Sequence, residues 1–346
     1  MMSSRLLNKR LQSTNHMVAD FKISPDNIGE GSTGMVRLAV RQSDGLKAAV
    51  KIVCKRSLRF GSLASACRSP GSFGSVGSFG SPSSSPGPFQ SAFSPSPSPN
   101  ITAQSCSPSN FTSHYDEKIR NEVMREVNLL QKLHHENIVK LIHIEEDDTY
   151  MFIFSEWMDE GDLYSYIQRN GTLDEVTALK LFKQMMAALQ HCHESKVCHH
   201  DFKLENCVIN GDLDLRVIDF GFAIDYAHLP QGELLHHYTG SPAYSAPEIL
   251  DRRPHTESVD IFSLGTCLFY MLAGRFPFCD EEKTTYEQLC RNVRAGVIDF
   301  PDKFSDQVRD LLKRMLSKDH RITWDEIEEH AWLNSCANDD SMDLIL

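Results

Sequence analysis

Four polar residues stand in two short stretches, HHDFKLEN and IDFG, and their types suit phosphoryl transfer. Asp201 can accept a hydroxyl proton, and Lys203 can neutralise a terminal phosphate. Asn206 and Asp219 offer the oxygen ligands that Mg²⁺ prefers. Because this chemistry needs charge neutralisation more than covalent help, the two stretches predict a site for ATP and Mg²⁺ in which Asp201 and Lys203 are catalytic.

A glycine-rich stretch lies earlier in the chain, where Gly29, Gly31, Gly34 and Val36 follow the spacing G-x-G-x-x-G-x-V. Glycines let backbone amides approach phosphate oxygens without an obstructing side chain, and we include Glu30 in the predicted nucleotide site. The dinucleotide-binding turn of a Rossmann fold has the same spacing, but that turn opens a helix. Here MVRLAVRQ follows and is typical of a strand, which favours a phosphate-binding hairpin.

A single lysine, Lys51, ends the next predicted strand in the stretch AAVK. This stretch matches the V-A-I-K pattern with a conservative change, and the match predicts a contact with the α- and β-phosphates of ATP. A lysine at a strand end is usually a surface residue, so the interpretation depends on a partner that aims it. Glu126, in the predicted helix MREVNLLQKL, is our candidate for that ion pair.

The elements that would hold these residues change in type along the chain. Three antiparallel strands are predicted between Asp20 and Lys55, and apolar residues at three-to-four spacing predict a helix that begins at Asp116. Strands at Val139–Glu145 and Met151–Trp157 precede a mainly helical part. Its predicted helices are Leu163–Arg169, Leu173–Glu194, Ser258–Ala273 and Asp306–Leu316. The predicted class is therefore α+β.

Residues 57–115 differ sharply in composition from the rest, because Ser, Pro, Gly and Phe dominate them. Such a segment cannot bury enough apolar area to offset its chain entropy, and we predict a disordered insertion. Its phenylalanines could equally serve as contacts for regulators of the insertion. We predict a flexible terminus for residues 1–20, with a mitochondrial presequence as the alternative, and a solvated acidic tail for residues 334–346.

Taken together, these stretches resemble the protein kinase superfamily over residues 21 to about 333, with the insertion left out. SPAYSAPEIL is similar to the segment that ends in the family's A-P-E motif, and DIFSLG is similar to its D-x-W-S-x-G. Arg321 falls where the family places the arginine that pairs with the A-P-E glutamate, here Glu248. The resemblance implies a bilobal fold, with a small β-rich lobe and hinge at 21–157 and a larger helical lobe at 158–333.

The same resemblance implies how ATP would bind, with adenine held between two apolar surfaces and against a hinge. The residues implied in adenine binding are Val36, Ala49, Glu156, Met158 and Val208. Ser155 would occupy the position that gates the inner pocket, where bulkier side chains are commoner. Phe220, His199 and Leu130 would belong to a packed column, in which His199 serves as packing and not as a catalyst.

Within the superfamily, KLEN, GSPAY and EEHAWL are similar to the calcium/calmodulin-dependent and AMP-activated kinase group. The pattern D-x-K-x-x-N resembles Ser/Thr-specific members and implies protein substrates. Asp162 and Glu205 stand where related kinases receive a substrate arginine, so we expect basic residues before the phosphoacceptor, with arginine three residues upstream.

Activation of many related kinases uses an arginine beside the catalytic aspartate, which gathers a phosphate on the activation segment. That arginine is replaced here by His200, and the usual phosphate-accepting threonine is replaced by His237. We therefore expect activity without phosphorylation of this segment. A protonated His200 could still attract phosphate near the ordinary histidine pKa of about 6.5.

Composition limits the partners and the compartment. A net charge of −12, from 35 basic and 47 acidic residues, argues against nucleic acid or an anionic membrane as a partner. Ten cysteines without a C-x-x-C pair indicate reduced thiols in the cytoplasm or nucleus, and the histidine clusters lack zinc-site spacing. The apolar run Phe262–Gly274 is too short to cross a membrane and predicts a buried helix.

The alternative function is that of a pseudokinase, a binding module of the same fold without phosphotransfer. Such modules usually lack the lysine, the catalytic aspartate or the metal aspartate. Lys51, Asp201 and Asp219 are all present, which favours an enzyme.

Overall fold

A computed structural model describes residues 16–30, 34–55, 108–230, 232–281 and 283–334. In it the chain forms two compact units. The first contains the N-terminal strands, the following helix as far as Met124, and Leu141–Trp157. The second contains Arg125–Lys140 and the chain from Met158 onward. The first is rich in strands and the second in helices, as predicted.

The first unit is built on a six-stranded antiparallel sheet with the order β1-β2-β3-β4-β6-β5. Its strands are β1 (His16–Val18), β2 (Phe21–Glu30), β3 (Met35–Arg41), β4 (Lys47–Cys54), β5 (Leu141–Glu146) and β6 (Tyr150–Glu156). The predicted strands are all present, but β1 is additional. It pairs Val18 with Phe21 across a tight turn in which Ala19 has a φ of 49°, and this corrects the boundary of the terminus that we expected to be flexible.

Strand β3 and most of β4 alternate between a buried face and a half-exposed face, as the period of two requires, whereas β6 is buried on both faces from Tyr150 to Phe154. The buried face carries apolar residues that are at most 4% exposed, including Met35, Ala39, Val50, Ile52, Phe152 and Phe154. The ring of Phe154 stacks on that of Phe21, with centroids 4.3 Å apart. Because this face is buried in the core, the side chains on the opposite face of the sheet are the ones that a ligand could contact.

The long helix α1 (Pro108–Lys132) begins in the first unit and ends in the second. We predicted its start at Asp116, so the last part of the expected insertion, residues 108–115, is helical instead. Residues 56–107 lie outside the described residues, and the prediction of disorder there stays a prediction.

The helices of the second unit are α2 (Leu163–Asn170), α3 (Glu175–Glu194), α4 (Pro247–Leu250), α5 (Val259–Ala273), α6 (Tyr286–Ala295), α7 (Asp306–Met315), α8 (Trp324–Glu328) and α9 (Ala331–Asn334). Side chains cap several of their N-termini, as with Asp162 before α2 and Asp174 before α3. The short strands are β7 (Gly161–Asp162), β8 (Val197–Cys198), β9 (Cys207–Ile209), β10 (Leu215–Val217) and β11 (Ile224–Asp225).

Helix α5 is the predicted buried helix, and fourteen of its residues, Val259 to Leu272, are buried. Gly265 lets helix α7 pack closely, because a Cβ atom there would lie 3.0 Å from Cβ of Met315. The apolar run is a core element of the second unit. None of the helices in the described ranges combines the length and apolar character that a membrane span needs.

Candidate active site

Asp201, Lys203 and Ser241 form a closed set of hydrogen bonds in the second unit. The Lys203 ammonium lies 2.8 Å from Oδ2 of Asp201 and donates to Oγ of Ser241 at 2.9 Å. The Ser241 hydroxyl in turn donates to Oδ1 of Asp201 at 2.8 Å. Both carboxylate oxygens of Asp201, which is 5% exposed, are thus fixed in position.

Lys203 keeps its positive charge at this site. Burial alone would lower the pKa of its amine, but the ion pair and hydrogen bond with Asp201 outweigh burial and raise the pKa. A fixed cation next to a carboxylate suits the neutralisation of a phosphate.

Asn206 and Asp219 present oxygen atoms suited to a hard divalent cation. The side-chain amide of Asn206 donates to the backbone oxygen of Asp201 at 2.9 Å, which leaves its Oδ1 as the atom available for a ligand bond. Asp219 has a φ of 62°, a strained backbone for a non-glycine residue, and its Oδ1 accepts a bond from the Gly221 amide at 3.2 Å. Carboxylate and amide oxygens are ligands that Mg²⁺ prefers, and the assignment of Asn206 and Asp219 as metal ligands stays a prediction.

A buried carboxylate, Asp260 on helix α5, bonds to the backbone of the stretch HHDFKLEN at 199–206, which we call the catalytic loop. Its oxygens accept the backbone amides of His199 at 2.7 Å and His200 at 2.9 Å. The Nε2 atom of His193 lies 2.9 Å from Oδ2, and Nδ1 of the same ring accepts the indole N–H of Trp324 at 3.0 Å. Burial would raise the pKa of Asp260, but the His193 hydrogen bond and the nearby histidines hold it well below its usual range. Asp260 therefore stays ionised and positions the loop.

His199 packs against aromatic rings, and its side chain makes no hydrogen bond to any of the residues that the structure describes. Its ring lies 5.0 Å from the centroid of Phe220 and 5.7 Å from that of Phe202. Leu130, the third predicted member of the column, is buried at 6% exposure. The packing role predicted for His199 agrees with this geometry.

In the first unit, the sheet register places Val36, Ala49 and Lys51 on the half-exposed face. Val36 lies opposite Lys51, and Ala49 lies opposite Ser155 in the neighbouring strand. Directly opposite residues in an antiparallel pair share a face, so these four side chains share one side of the sheet. The hydroxyl of Ser155 approaches the Ala49 oxygen at 3.5 Å.

The glycine-rich stretch is described in part. Gly29 pairs with Val36 and Glu30 with Met35, whereas Gly31 lies outside the described residues. A Cβ atom on Gly34 would come within 2.3 Å of the Ile52 oxygen, so glycine is required there by the sheet itself.

The remaining predicted residues belong to both units. Glu156 ends strand β6 opposite Ala48 in the first unit. In the second unit, Met158 is 9% exposed and Val208 lies in β9. Glu126 is buried in α1, and its Oε2 would lie 3.9 Å from a Cβ atom on Gly221, next to the loop of Asp219. The ion pair of Lys51 with Glu126 stays a prediction.

Asp162 and Glu205, the predicted acidic receptors, both have structural partners. Oδ1 of Asp162 caps helix α2 by accepting the Ser165 amide at 2.8 Å. Glu205 accepts the hydroxyl of Tyr244 at 2.9 Å, and burial raises the pKa of its carboxyl. Asp162 pairs with Val208 in β9, three residues after Glu205, so the two carboxylates belong to adjacent segments.

His200 is buried at 6% exposure, and its Nε2 lies 2.9 Å from Nε2 of His255. Burial lowers the pKa of His200 to about 3. The expectation that a protonated His200 could attract phosphate near pH 6.5 is therefore wrong, because desolvation keeps the ring neutral there. Sequence reasoning missed His193 and His255, since neither lies in a local pattern that marks its partner.

A family model described as "Protein kinase domain" matches residues 109–333. This is more than half of the chain, so the chain belongs to the protein kinase domain family. The predicted α+β fold, with a β-rich lobe and a larger helical lobe, is confirmed as the fold of this family.

Among its relatives, three are similar to this chain over 223 to 225 residues. Probable serine/threonine-protein kinase MARK-B of Dictyostelium discoideum is 38% identical over 224 residues, which cover 63% of this chain and 31% of that protein. Serine/threonine-protein kinase SIK1 of Rattus norvegicus is 34% identical over 223 residues, covering 64% and 28%. SNF1-related protein kinase catalytic subunit alpha KIN12 of Arabidopsis thaliana is 32% identical over 225 residues, covering 63% and 44%. The chain spans less than half the length of these relatives.

Proposed function

We propose that this chain is an ATP-dependent protein serine/threonine kinase. The observation that carries the proposal is the closed set of hydrogen bonds among Asp201, Lys203 and Ser241, with Asn206 bonded to the Asp201 backbone. These bonds fix the groups that a hydroxyl and a phosphate would need. Two of the three relatives are named serine/threonine-protein kinases and the third is named a protein kinase catalytic subunit, which supports the same class.

Each of the predicted site residues would have its own role in phosphoryl transfer. Asp201 orients the substrate hydroxyl and accepts its proton, while Lys203 offsets negative charge on the transferred group. Asn206 and Asp219 would hold Mg²⁺, and Lys51 and the glycine-rich backbone would hold the ATP phosphates. Bound Mg²⁺ supplies the charge neutralisation that lets the phosphoryl group leave its donor. Glu126 would aim Lys51.

The alternative is a pseudokinase, and one experiment separates the two. Purified protein is incubated with labelled ATP, Mg²⁺ and a basic peptide, and transfer is compared with that of Asp219→Ala and Asp201→Asn. We expect each variant to lose at least about a hundredfold in rate. Equal labelling by all three proteins would mean a contaminating kinase, and no labelling by the unaltered chain would favour the pseudokinase.

We further propose that the substrates are proteins with basic residues before the phosphoacceptor. The strand pairing of Asp162 with Val208, three residues after Glu205, supports this, because carboxylates on adjacent segments can receive a guanidinium. On a positional peptide array we expect selection of arginine three residues upstream. Glu205→Gln should weaken that selection about tenfold, whereas the exposed Asp319→Asn should not. Acidic or proline-directed selection would contradict the proposal.

The compartment and the regulatory partners are proposals as well. All seven cysteines in the described part of the chain are free thiols, which supports the cytoplasm or nucleus. Regulators that bind the insertion are proposed from its composition alone. Imaging of a tagged full chain, with and without residues 57–107, tests both ideas, and a secreted or membrane-bound pool would contradict the first.

A further inference from the structure

Two buried histidines share a hydrogen bond whose direction the structure determines. Nδ1 of His255 lies 3.2 Å from the Arg253 backbone oxygen, which can only accept, so the proton of the neutral ring sits on Nδ1. Nε2 of His255 is then an acceptor, and the Nε2–H of His200 must donate to it across 2.9 Å. Within the described part of the chain, Nδ1 of His200 has no hydrogen-bond partner. Both rings are thus neutral, with His200 as the donor and His255 as the acceptor.

The backbone of His255 is joined to the activation segment, the chain between Asp219 and Glu248. The Leu235 amide donates to the His255 oxygen at 2.8 Å, and the His255 amide donates back to the Leu235 oxygen at 3.1 Å. The Leu235 side chain is 4% exposed. Two residues further along, the His237 ring lies 6.4 Å from that of His200. The segment is therefore hydrogen-bonded to His255 and lies beside His200.

The activation segment also touches the backbone of His200 directly. Gly240 has a φ of 123°, and a Cβ atom there would lie 2.5 Å from the His200 oxygen. Only glycine permits this approach. The next residue is Ser241, whose hydroxyl bonds to Asp201. A displacement of the segment at His200 would therefore reach the catalytic carboxylate within two residues.

We infer that the hydrogen bond from His200 to His255 is a phosphate-independent latch that holds the activation segment in its substrate-binding position. The latch joins the catalytic loop to the backbone pair at Leu235 and keeps Ser241 against Asp201. It needs no charge, since burial lowers the pKa of both imidazoles. His255 is a positioning residue in this scheme, because it acts through His200 and Leu235 and does not touch the reacting atoms.

The geometry supplies a matched pair of variants, His255→Gln and His255→Asn. The glutamine oxygen can reach the position of Nε2 and accept from His200. The asparagine side chain reaches only the position of Nδ1, so it keeps the Arg253 contact and loses the one to His200. Both variants stay polar, which limits loss of folding. Because the exposed His236 lies in the same segment and outside the latch, His236→Gln is the control.

Two measurements are made on the full chain after phosphatase treatment. Amide exchange at Leu235, whose N–H donates to the backbone oxygen of residue 255, reports the latch without any turnover, and we expect it to be about tenfold faster in His255→Asn than in His255→Gln. Steady-state kinetics on a basic peptide should show about a tenfold lower kcat for His255→Asn, with the KM for ATP unchanged and His255→Gln close to the unaltered chain.

The exchange and kcat comparisons each support or overturn the latch. Equal exchange and equal kcat in the two variants would overturn the latch, as would faster exchange in the unaltered chain after phosphatase treatment. The inference about activity rests on the proposed kinase function. If no protein in the set transfers phosphate, the kinase proposal fails, but the exchange difference still tests the latch.

Discussion

Arg321 holds the carboxylate of Glu248 through two parallel hydrogen bonds, of 2.6 Å from Nη1 and 3.1 Å from Nη2. Their side chains are 6% and 15% exposed, and the two residues are 73 positions apart in the chain. The pair joins the end of the A-P-E motif to the turn before helix α8. The resemblance to protein kinases implied this contact, and the structure contains it.

Arg321→Ala should destabilise the fold, because it leaves a largely buried carboxylate without its partner. We expect a loss of about 3 kcal/mol in the free energy of unfolding and a fall in Tm of about 6–12 °C. Arg314→Ala is the matched control, since its partner Glu326 is half exposed and the pair contributes little. Thermal melts of the two variants that coincide would contradict this prediction.

Asp260 should make stability depend on acid pH. Its pKa lies well below that of the unfolded chain, so its contribution is complete above about pH 4 and is lost as pH falls further toward the folded pKa. Asp260→Asn should cost about 3 kcal/mol at neutral pH. Urea unfolding of both proteins at about pH 7, 5 and 3.5 should show a constant difference that narrows only at the lowest value. A difference that shrinks already between the first two values would contradict this assignment.

Ser155→Phe should block bulky inhibitors of the ATP site. Ser155 lies opposite Ala49 on the half-exposed face of the sheet, where a small side chain leaves space. We expect inhibition by compounds with large aromatic extensions to weaken about a hundredfold, with the KM for ATP changed only a few-fold. Dose–response curves with such a compound and with a small adenine analogue provide the comparison. Equal inhibition of both proteins would mean that the register assigned at the hinge is wrong.

Phosphorylation of the activation segment should not be needed for activity. The buried, neutral His200 offers no charge to a phosphate, and its Nε2–H is already engaged by His255. We expect phosphatase-treated protein, Thr239→Ala and Tyr238→Phe to turn over a basic peptide at similar rates. A fall of about a hundredfold in any of them, equivalent to about 3 kcal/mol, would mean that a phosphate orders the segment.

Residues 57–107 should be dispensable for phosphotransfer. Replacing them with a short Gly-Ser linker leaves helix α1 intact from Pro108, and we expect peptide turnover within about threefold. Extending the replacement to residue 115 removes the first turns of the helix that carries Glu126, and this second variant should be the less active one. Loss of activity in the shorter replacement, with folding retained, would show that the segment positions the helix.

The sequence could predict most elements of the fold, because their hydrophobic pattern is local. Helix α5 is an example, since an apolar-rich run of 15 residues is too long for a typical strand and is typical of a buried helix. The start of α1 was missed because the prediction relied on this local pattern. PSNFTSHY carries few apolar residues at helical spacing, so composition assigned it to the insertion.

Contacts between distant residues could not be predicted in this way. His193 and Asp260 are 67 positions apart, and His200 and His255 are 55 apart. His193 and His255 belong to no motif. Only packing of the second unit brings each of them to its partner. Asp162 is different, because its position directly before LYSYIQRN was itself a capping pattern that could have been recognised.

Asp260 accepts the His199 and His200 amides, so helix α5 fixes the backbone of the catalytic loop. A loop held this way has its conformational entropy removed when the chain folds, and none remains to be lost when a substrate arrives. In the proposed kinase reaction, binding energy from the peptide would then be available to align the hydroxyl with Asp201. The loop is preorganised, because it is assembled before any substrate binds.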